Sequence, residues 1–299
     1  MLYQFCARGH EVTQSMLGAC LTGTRDGIAA YYRTRPLVLS LGLPLNEALA
    51  GTMMRTGSVT GGRDIGVMFN LPRHDGPCVL PAAGGVGSQY TPAVGWAQSL
   101  RYRAKVLGDT SAAGSIAVAT GGEASTAANG FWAALNVATT QQLPMLFYIE
   151  DNGYGISVPS TLQTPGGDIA TNLRGFTGLA VHSADGNHPA EAFEAIRTAV
   201  RHARSGEGPA LLRLHVPRLS GHSGQDTQGY KSAAEISADE ARDPLLALHD
   251  WLVPQTLSKE EWSQLQREAT TEVEAAYAAV SARPAPQGAA TATWAVHTP

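Results

Sequence analysis

In the stretch GGEASTAANGFWAALN (121–136) a single carboxylate, Glu123, stands among glycine, alanine, serine and threonine, where an apolar run, SIAVAT (115–120), gives way to a helical pattern. Small residues let a ligand approach the backbone, and one acid among them suits a cation. Downstream, IEDNGYGIS (149–157) places Asp151 and Asn152 at the end of the next apolar run. Parallel strands joined by a right-handed crossover carry their carboxyl ends side by side. Glu123 and the Asp151–Asn152 pair are therefore predicted to meet at one sheet edge, where open α/β folds bind ligands. A carboxylate, an amide oxygen and backbone carbonyls are the hard ligands that Mg²⁺ takes, and a diphosphate completes such a shell. The chemistry indicated is a cation carrying a phosphorylated cofactor; an ordinary strand-to-helix loop with a solvated Glu would show the same local text.

The elements that must position these residues alternate between strand-like and helical runs. SIAVAT is followed by a helix from Gly130, with Phe131, Leu135 and Ala138 on one face, and then by LPMLFYIE (143–150). Next come GLAVHSADG (178–186), a helix from Pro189 to about Ser205 and PALLRLHV (209–216); Asn187 is read as that helix's cap and Gly206 as its stop. This alternation predicts an α/β fold, a mainly parallel sheet with helices on both faces. Residues 1–80 read as a helical, loop-rich part of the same domain and 81–242 as the α/β core. Residues 243–282 read as C-terminal helices and 283–299 as a poorly ordered Pro/Ala/Thr-rich tail.

Bulk properties narrow the class. The chain has 299 residues, 43% hydrophobic and 15% charged, which is a globular composition with enough length for a full core. A formal charge of −4 gives no footprint for nucleic acid or an anionic membrane. Cys6, Cys20 and Cys78 are far apart and suggest neither a disulfide framework nor a thiolate zinc site, which fits a cytoplasmic setting. The start shows no signal-peptide pattern, and no run is long and apolar enough for a membrane span.

Together, GFWAALN, DNGYGIS, ADGN (184–187), GHS (221–223) and DPLLAL form a pattern. It resembles the α subunit of the thiamine-diphosphate-dependent decarboxylating component of 2-oxo acid dehydrogenase complexes, the pyruvate and branched-chain type, from about Tyr32 to Leu252. The resemblance implies a thiamine-diphosphate-binding fold. It assigns Glu123, Asn152 and the Tyr154 carbonyl to Mg²⁺, and Tyr32 and Arg33 to the diphosphate, since a guanidinium offers forked donors to phosphate. It places Val86, Gly122, Ala124, Ser125, Tyr154 and Ile156 against the cofactor, and Ser88 and Gln89 at a potassium site seen in some relatives. His222, in the glycine- and serine-rich RLSGHSGQDTQGYKS, becomes the catalytic candidate. With an ordinary pKa it would protonate the sulfur of a lipoyl disulfide during acyl transfer. The implied partners are a separate β subunit in an α2β2 assembly, a lipoyl domain of a dihydrolipoyl acyltransferase and a small 2-oxo acid.

The departures matter as well. Glu123 stands where most members have Asp, Ala124 replaces a glycine, Asp151 replaces the first Asn of the motif's pair, and the match begins some tens of residues into a typical member. Two other functions stay open: a specialised thiamine-diphosphate-dependent decarboxylase or carboligase subunit, and a non-catalytic cofactor-binding or scaffold subunit.

Overall fold

The computed structural model describes residues 4–63 and 68–287. Its helices are α1 (Glu11–Cys20), α2 (Arg35–Ser40), α3 (Leu45–Thr52), α4 (Tyr90–Lys105), α5 (Asn129–Thr140), α6 (Ile169–Leu173), α7 (Pro189–Ser205), α8 (Ala233–Glu240), α9 (Pro244–Leu252) and α10 (Lys259–Ser281). Its strands are β1 (Gly27–Ala29), β2 (Cys78–Val79), β3 (Ala117–Gly122), β4 (Met145–Asp151), β5 (Tyr154–Gly155), β6 (Val158–Pro159), β7 (Ala180–Asp185) and β8 (Ala210–His215). Six of these strands form one parallel sheet in the order β2-β1-β3-β4-β8-β7, and β5 and β6 form a small antiparallel pair.

A parallel sheet covered on both sides needs strands that are apolar on both faces, and β4 shows why this one is covered. Leu146 and Tyr148 pack with Leu17 of α1, Leu37 of α2 and Ile196 of α7. Met145, Phe147 and Ile149 point the other way, into Ala93 of α4, Phe131 and Leu135 of α5 and Ile169 of α6. The alternation therefore makes two hydrophobic layers, one on each side of the sheet.

The N-terminal region differs from the expectation of helices and loops alone, because it contributes β1 and β2 to the sheet. Strands of three and two residues carry too little periodicity to stand out among Gly- and Pro-punctuated text. Asn187 is not the cap of α7: His188 occupies that position without a side-chain cap bond, and the Asn187 amide donates to the carbonyl of Arg242. Gly206 does end α7, in the left-handed conformation (φ 83°) that glycine adopts without a Cβ penalty. Of the expected tail, the Pro284 carbonyl accepts from Thr56 N at 3.1 Å, and residues 288–299 lie outside the described residues.

Candidate functional site

The carboxyl ends of β1, β3, β4 and β8 open onto one cleft of about 190 Å³. The chain leaving β1 supplies Tyr31, Tyr32, Arg33 and Thr34, and the β3 end supplies Gly122, Glu123, Ala124 and Ser125. The turn after β4 brings Asn152, Tyr154, Gly155 and Ile156, the segment after β8 brings Arg218 and His222, and Val86 closes one side. Of the residues expected at the cofactor and cation, only Ser88 and Gln89 lie outside this lining.

Glu123 starts a 3₁₀ turn (Glu123–Ala127) and is 2% exposed. Its Oε2 accepts from Asn152 N at 3.2 Å, while Oε1 has no hydrogen-bond partner. Burial, with the nearby Asp151 charge adding to it, pushes the carboxyl up to about 8. The Asn152 side-chain oxygen accepts from Tyr154 N at 3.2 Å, which folds the turn, and the Tyr154 carbonyl accepts from Arg218 Nη1 at 3.5 Å. No cluster of three or more His, Cys, Asp or Glu side chains able to hold a metal occurs among the described residues, so a hard-oxygen corner of mixed ligand types is the chemistry on offer.

The departures from the family pattern have local explanations. Asp151, 2% exposed, is gripped by Arg213 of β8, whose Nε and Nη2 donate to Oδ2 at 2.7 and 2.6 Å, while Oδ1 accepts from Gly153 N at 3.0 Å. The acid thus pairs with a strand arginine and braces the Asn152 turn. The Ala124 methyl lies where Gly155 has no side chain: a Cβ built on Gly155 would come within 2.5 Å of it. The larger residue is accommodated because its neighbour is glycine.

Ile156 adopts φ 57°, a left-handed conformation that a β-branched residue avoids at a cost of about 1–3 kcal/mol. Arg218 holds it there, donating from Nη2 to the Ile156 carbonyl at 2.9 Å. Ile156 and Val86 are 60% and 57% exposed, so both stand at the mouth of the cleft and not in the core.

His222 differs from the expectation of an ordinary histidine. The imidazole is half-buried, and its burial together with the Arg33 and Arg218 charges pushes its pKa down to about 4. Its ring meets Phe5 and Tyr32 edge-on, with centroids 5.2 and 5.8 Å apart. Its backbone is fixed from both sides: the carbonyl accepts from Arg33 Nη2 at 2.9 Å and the amide donates to Asp226 at 2.6 Å. Tyr230 donates to the same Asp226 carboxylate at 2.7 Å and contacts Arg218, so the loop 218–230 is a closed network.

Ser88 donates to the carbonyls of Ala83 and Gly85, and Gln89 donates to the Thr120 carbonyl at 3.0 Å. Neither side chain caps α4. Ser125 meets the Tyr90 hydroxyl at 2.6 Å, and Tyr90 is wholly buried beneath the loop, whereas Tyr31 lines the cleft. Sequence reasoning missed His10, Thr34, Glu150, Gln163 and Arg218. Arg218 carried a readable signal, a cation shortly after an apolar strand and in the same loop as His222. His10 carried none, because only the packing of α1 under β4 brings it to the cleft.

The profile of the dehydrogenase E1 component family matches residues 1–288. The 2-oxoisovalerate dehydrogenase subunit alpha of Bacillus subtilis is 29% identical over 283 residues, covering 91% of this chain and 82% of the relative. The 3-methyl-2-oxobutanoate dehydrogenase subunit alpha of Mycobacterium tuberculosis is 30% identical over 276 residues, covering 90% and 66%. The chloroplastic pyruvate dehydrogenase E1 component subunit alpha-3 of rice, Oryza sativa, is 29% identical over 269 residues, covering 89% of this chain and 62% of the relative. With its sheet, cleft and sequence all in agreement, the chain belongs to the dehydrogenase E1 component family.

Proposed function

We propose that the chain is the alpha subunit of a 2-oxo acid dehydrogenase, binding thiamine diphosphate through Mg²⁺ and acting on pyruvate or a branched-chain 2-oxo acid. The observation that carries this reading is Glu123, a buried carboxylate whose Oε1 has no protein partner, sharing one cleft with the oxygens of Asn152 and Tyr154 that the family resemblance assigns to the cation. A buried acid left unpaired is costly, and a hard cation held by these three oxygens removes the cost. Family membership implies the cofactor, and the relatives' names, pyruvate and branched-chain 2-oxo acid dehydrogenase alpha subunits, supply the substrate class.

When bound, thiamine diphosphate supplies the electron sink that lets a 2-oxo acid lose CO₂. The chain does the rest. Arg33 and Arg218 offset phosphate charge, Tyr32 lines the same wall, and the backbone from Gly122 to Ser125 admits a close approach. Ile156 and Val86 present apolar surface at the mouth. His222, neutral between two guanidiniums, is ready to accept a hydrogen bond; an anion that neutralises those charges raises its pKa toward the value at which it can hand a proton to a lipoyl sulfur. The cleft is completed by an E1 partner, which we take to be a separate β subunit, and the acyl acceptor is a lipoyl domain.

The test is the co-purified αβ pair, supplied with Mg²⁺ and thiamine diphosphate and assayed against pyruvate, 2-oxobutyrate and 3-methyl-2-oxobutanoate. Reductive acylation of a lipoyl domain is expected with at least one acid, and His222→Ala is expected to lower it by about a hundredfold. A pair that releases CO₂ but acylates no lipoyl domain would instead be a decarboxylase or carboligase. A pair that does neither would be a scaffold.

A further inference from the structure

The cleft has a polar wall that the functional reading leaves unused. His10 precedes α1 and is 2% exposed, yet its ring lines the cleft and neither ring nitrogen has a hydrogen-bond partner. Its Nδ1 stands 3.4 Å from Oε2 of Glu150, which is 3% exposed and lies on β4. That carboxylate is already held by α1, with Gln14 Nε2 donating to Oε2 at 2.8 Å and Thr13 Oγ1 to Oε1 at 3.3 Å. The same Gln14 amide donates to the Arg33 carbonyl at 3.1 Å, so one side chain ties the His10–Glu150 pair to the arginine wall.

Buried polar atoms are satisfied in folded proteins, and with Nδ1 facing Glu150 the unpartnered Nε2 of a ring that lines a cleft calls for a partner inside it. Glu150 Oε2 beside Nδ1 orients the ring and leaves Nε2 as its free nitrogen, and Thr13 and Gln14 fix the carboxylate in place. The groups around the position are Glu150 on β4, Arg33 beyond β1, Glu123 at the end of β3, and Arg218 and His222 beyond β8. We propose that His10 is a further binding residue for the phosphate oxygens of the cofactor, aligned by Glu150 and placed by α1. This rests on the functional reading above.

Both a diphosphate and the carboxylate of a 2-oxo acid are acceptor-only oxyanions, and the test separates them. Calorimetry on the αβ assembly would compare thiamine diphosphate with Mg²⁺, inorganic diphosphate with Mg²⁺, and thiamine. His10→Ala is expected to weaken thiamine diphosphate and inorganic diphosphate by about tenfold or more while thiamine is unchanged. The KM for the oxo acid at saturating cofactor should stay at the wild-type value. Diphosphate affinity within about twofold of wild type overturns the assignment. So does an equal loss for thiamine, or a raised KM with diphosphate binding intact. If His10→Ala fails to assemble, His10→Leu, which keeps similar bulk and has no N–H donor, is read by the same ratio of diphosphate to thiamine loss. A wild-type pair that binds inorganic diphosphate in a His10-dependent way but not thiamine diphosphate would defeat the cofactor reading and keep His10 as an anion ligand. A wild-type pair that binds neither defeats both.

Discussion

Glu123 and His222 line one cleft and are both held neutral by it, for opposite reasons: burial and a neighbouring acid suppress the carboxylate, while burial and two arginines suppress the imidazolium. Each gives a measurable consequence. On the proposed reading, replacing Glu123 by Ala removes the carboxyl group of the cation site, so Mg²⁺-dependent cofactor affinity is expected to fall by about a hundredfold, read by calorimetry on the chain with its E1 partner. For His222 the folded pKa lies below the unfolded value of 6.5, so the folded state binds fewer protons between about 4 and 6.5. Its contribution to stability is complete above 6.5 and is lost as pH falls toward 4. His182 and His215 shift in the same direction, so the test is a difference: His222→Gln should flatten the pH dependence of the denaturation midpoint in that window relative to wild type. An unchanged slope would show that the ring is already solvated. At this scale the sequence made Glu123, Asn152, Arg33 and His222 legible, because each sits in a short motif. His222's electrostatic setting was not legible, since its burial depends on the packed cleft and Arg33 reaches it from the chain leaving β1.

At the scale of elements, the short strands are held by tertiary contacts and not by their own propensity. Asp26, wholly buried just before β1, accepts from Ile116 N at 2.9 Å and Gly23 N at 2.9 Å, and is paired with Arg204 near the end of α7. Arg204→Ala strands that carboxylate and is expected to cost about 3–5 kcal/mol, measured by chemical denaturation. A loss near zero would mean that water replaces the guanidinium. The loop bearing His222 depends on Asp226 in the same way. Asp226→Ala removes the acceptor for His222 N, Gln228 N and the Tyr230 hydroxyl, so faster proteolysis confined to residues 219–231 is expected, with the global melt little changed. The long elements were legible, since β4 is a continuous apolar run and α7 repeats its apolar face over many residues. The order of the sheet was not, because β1 and β2 are too short to signal and their neighbours are chosen by burial.

On the scale of the whole molecule, Val86 and Ile156 lie exposed at the cleft, and close along the chain from Ile156 so do Val158 and Leu162, the last 77% exposed. Exposed apolar surface beside a half-built site marks an interface. Leu162→Asp is therefore expected to weaken association with the E1 partner by about tenfold or more, read by sedimentation or size exclusion of the mixed chains. Unchanged assembly would place the interface elsewhere. Neither the extent of this surface nor the gathering of β1, β3, β4 and β8 ends could be read from a linear pattern, because both depend on which strands become neighbours.

The parallel pairing of β1 with β3 also sets an order of events. Gly27 sits opposite Ala117 and Ala29 opposite Ala119, so the central sheet closes only after a long intervening stretch has found its place. Contacts between such distant segments form late and make folding slow. The walls bearing Arg33 and Glu123 come together in that same step, which leaves no anion or cation pocket in the unfolded chain for a ligand to organise around. A ligand of this cleft should therefore leave the refolding rate nearly untouched and act almost wholly by slowing unfolding. The protein's resistance to loss would then be a matter of lifetime, set by how well the cleft is filled once the last strand has closed.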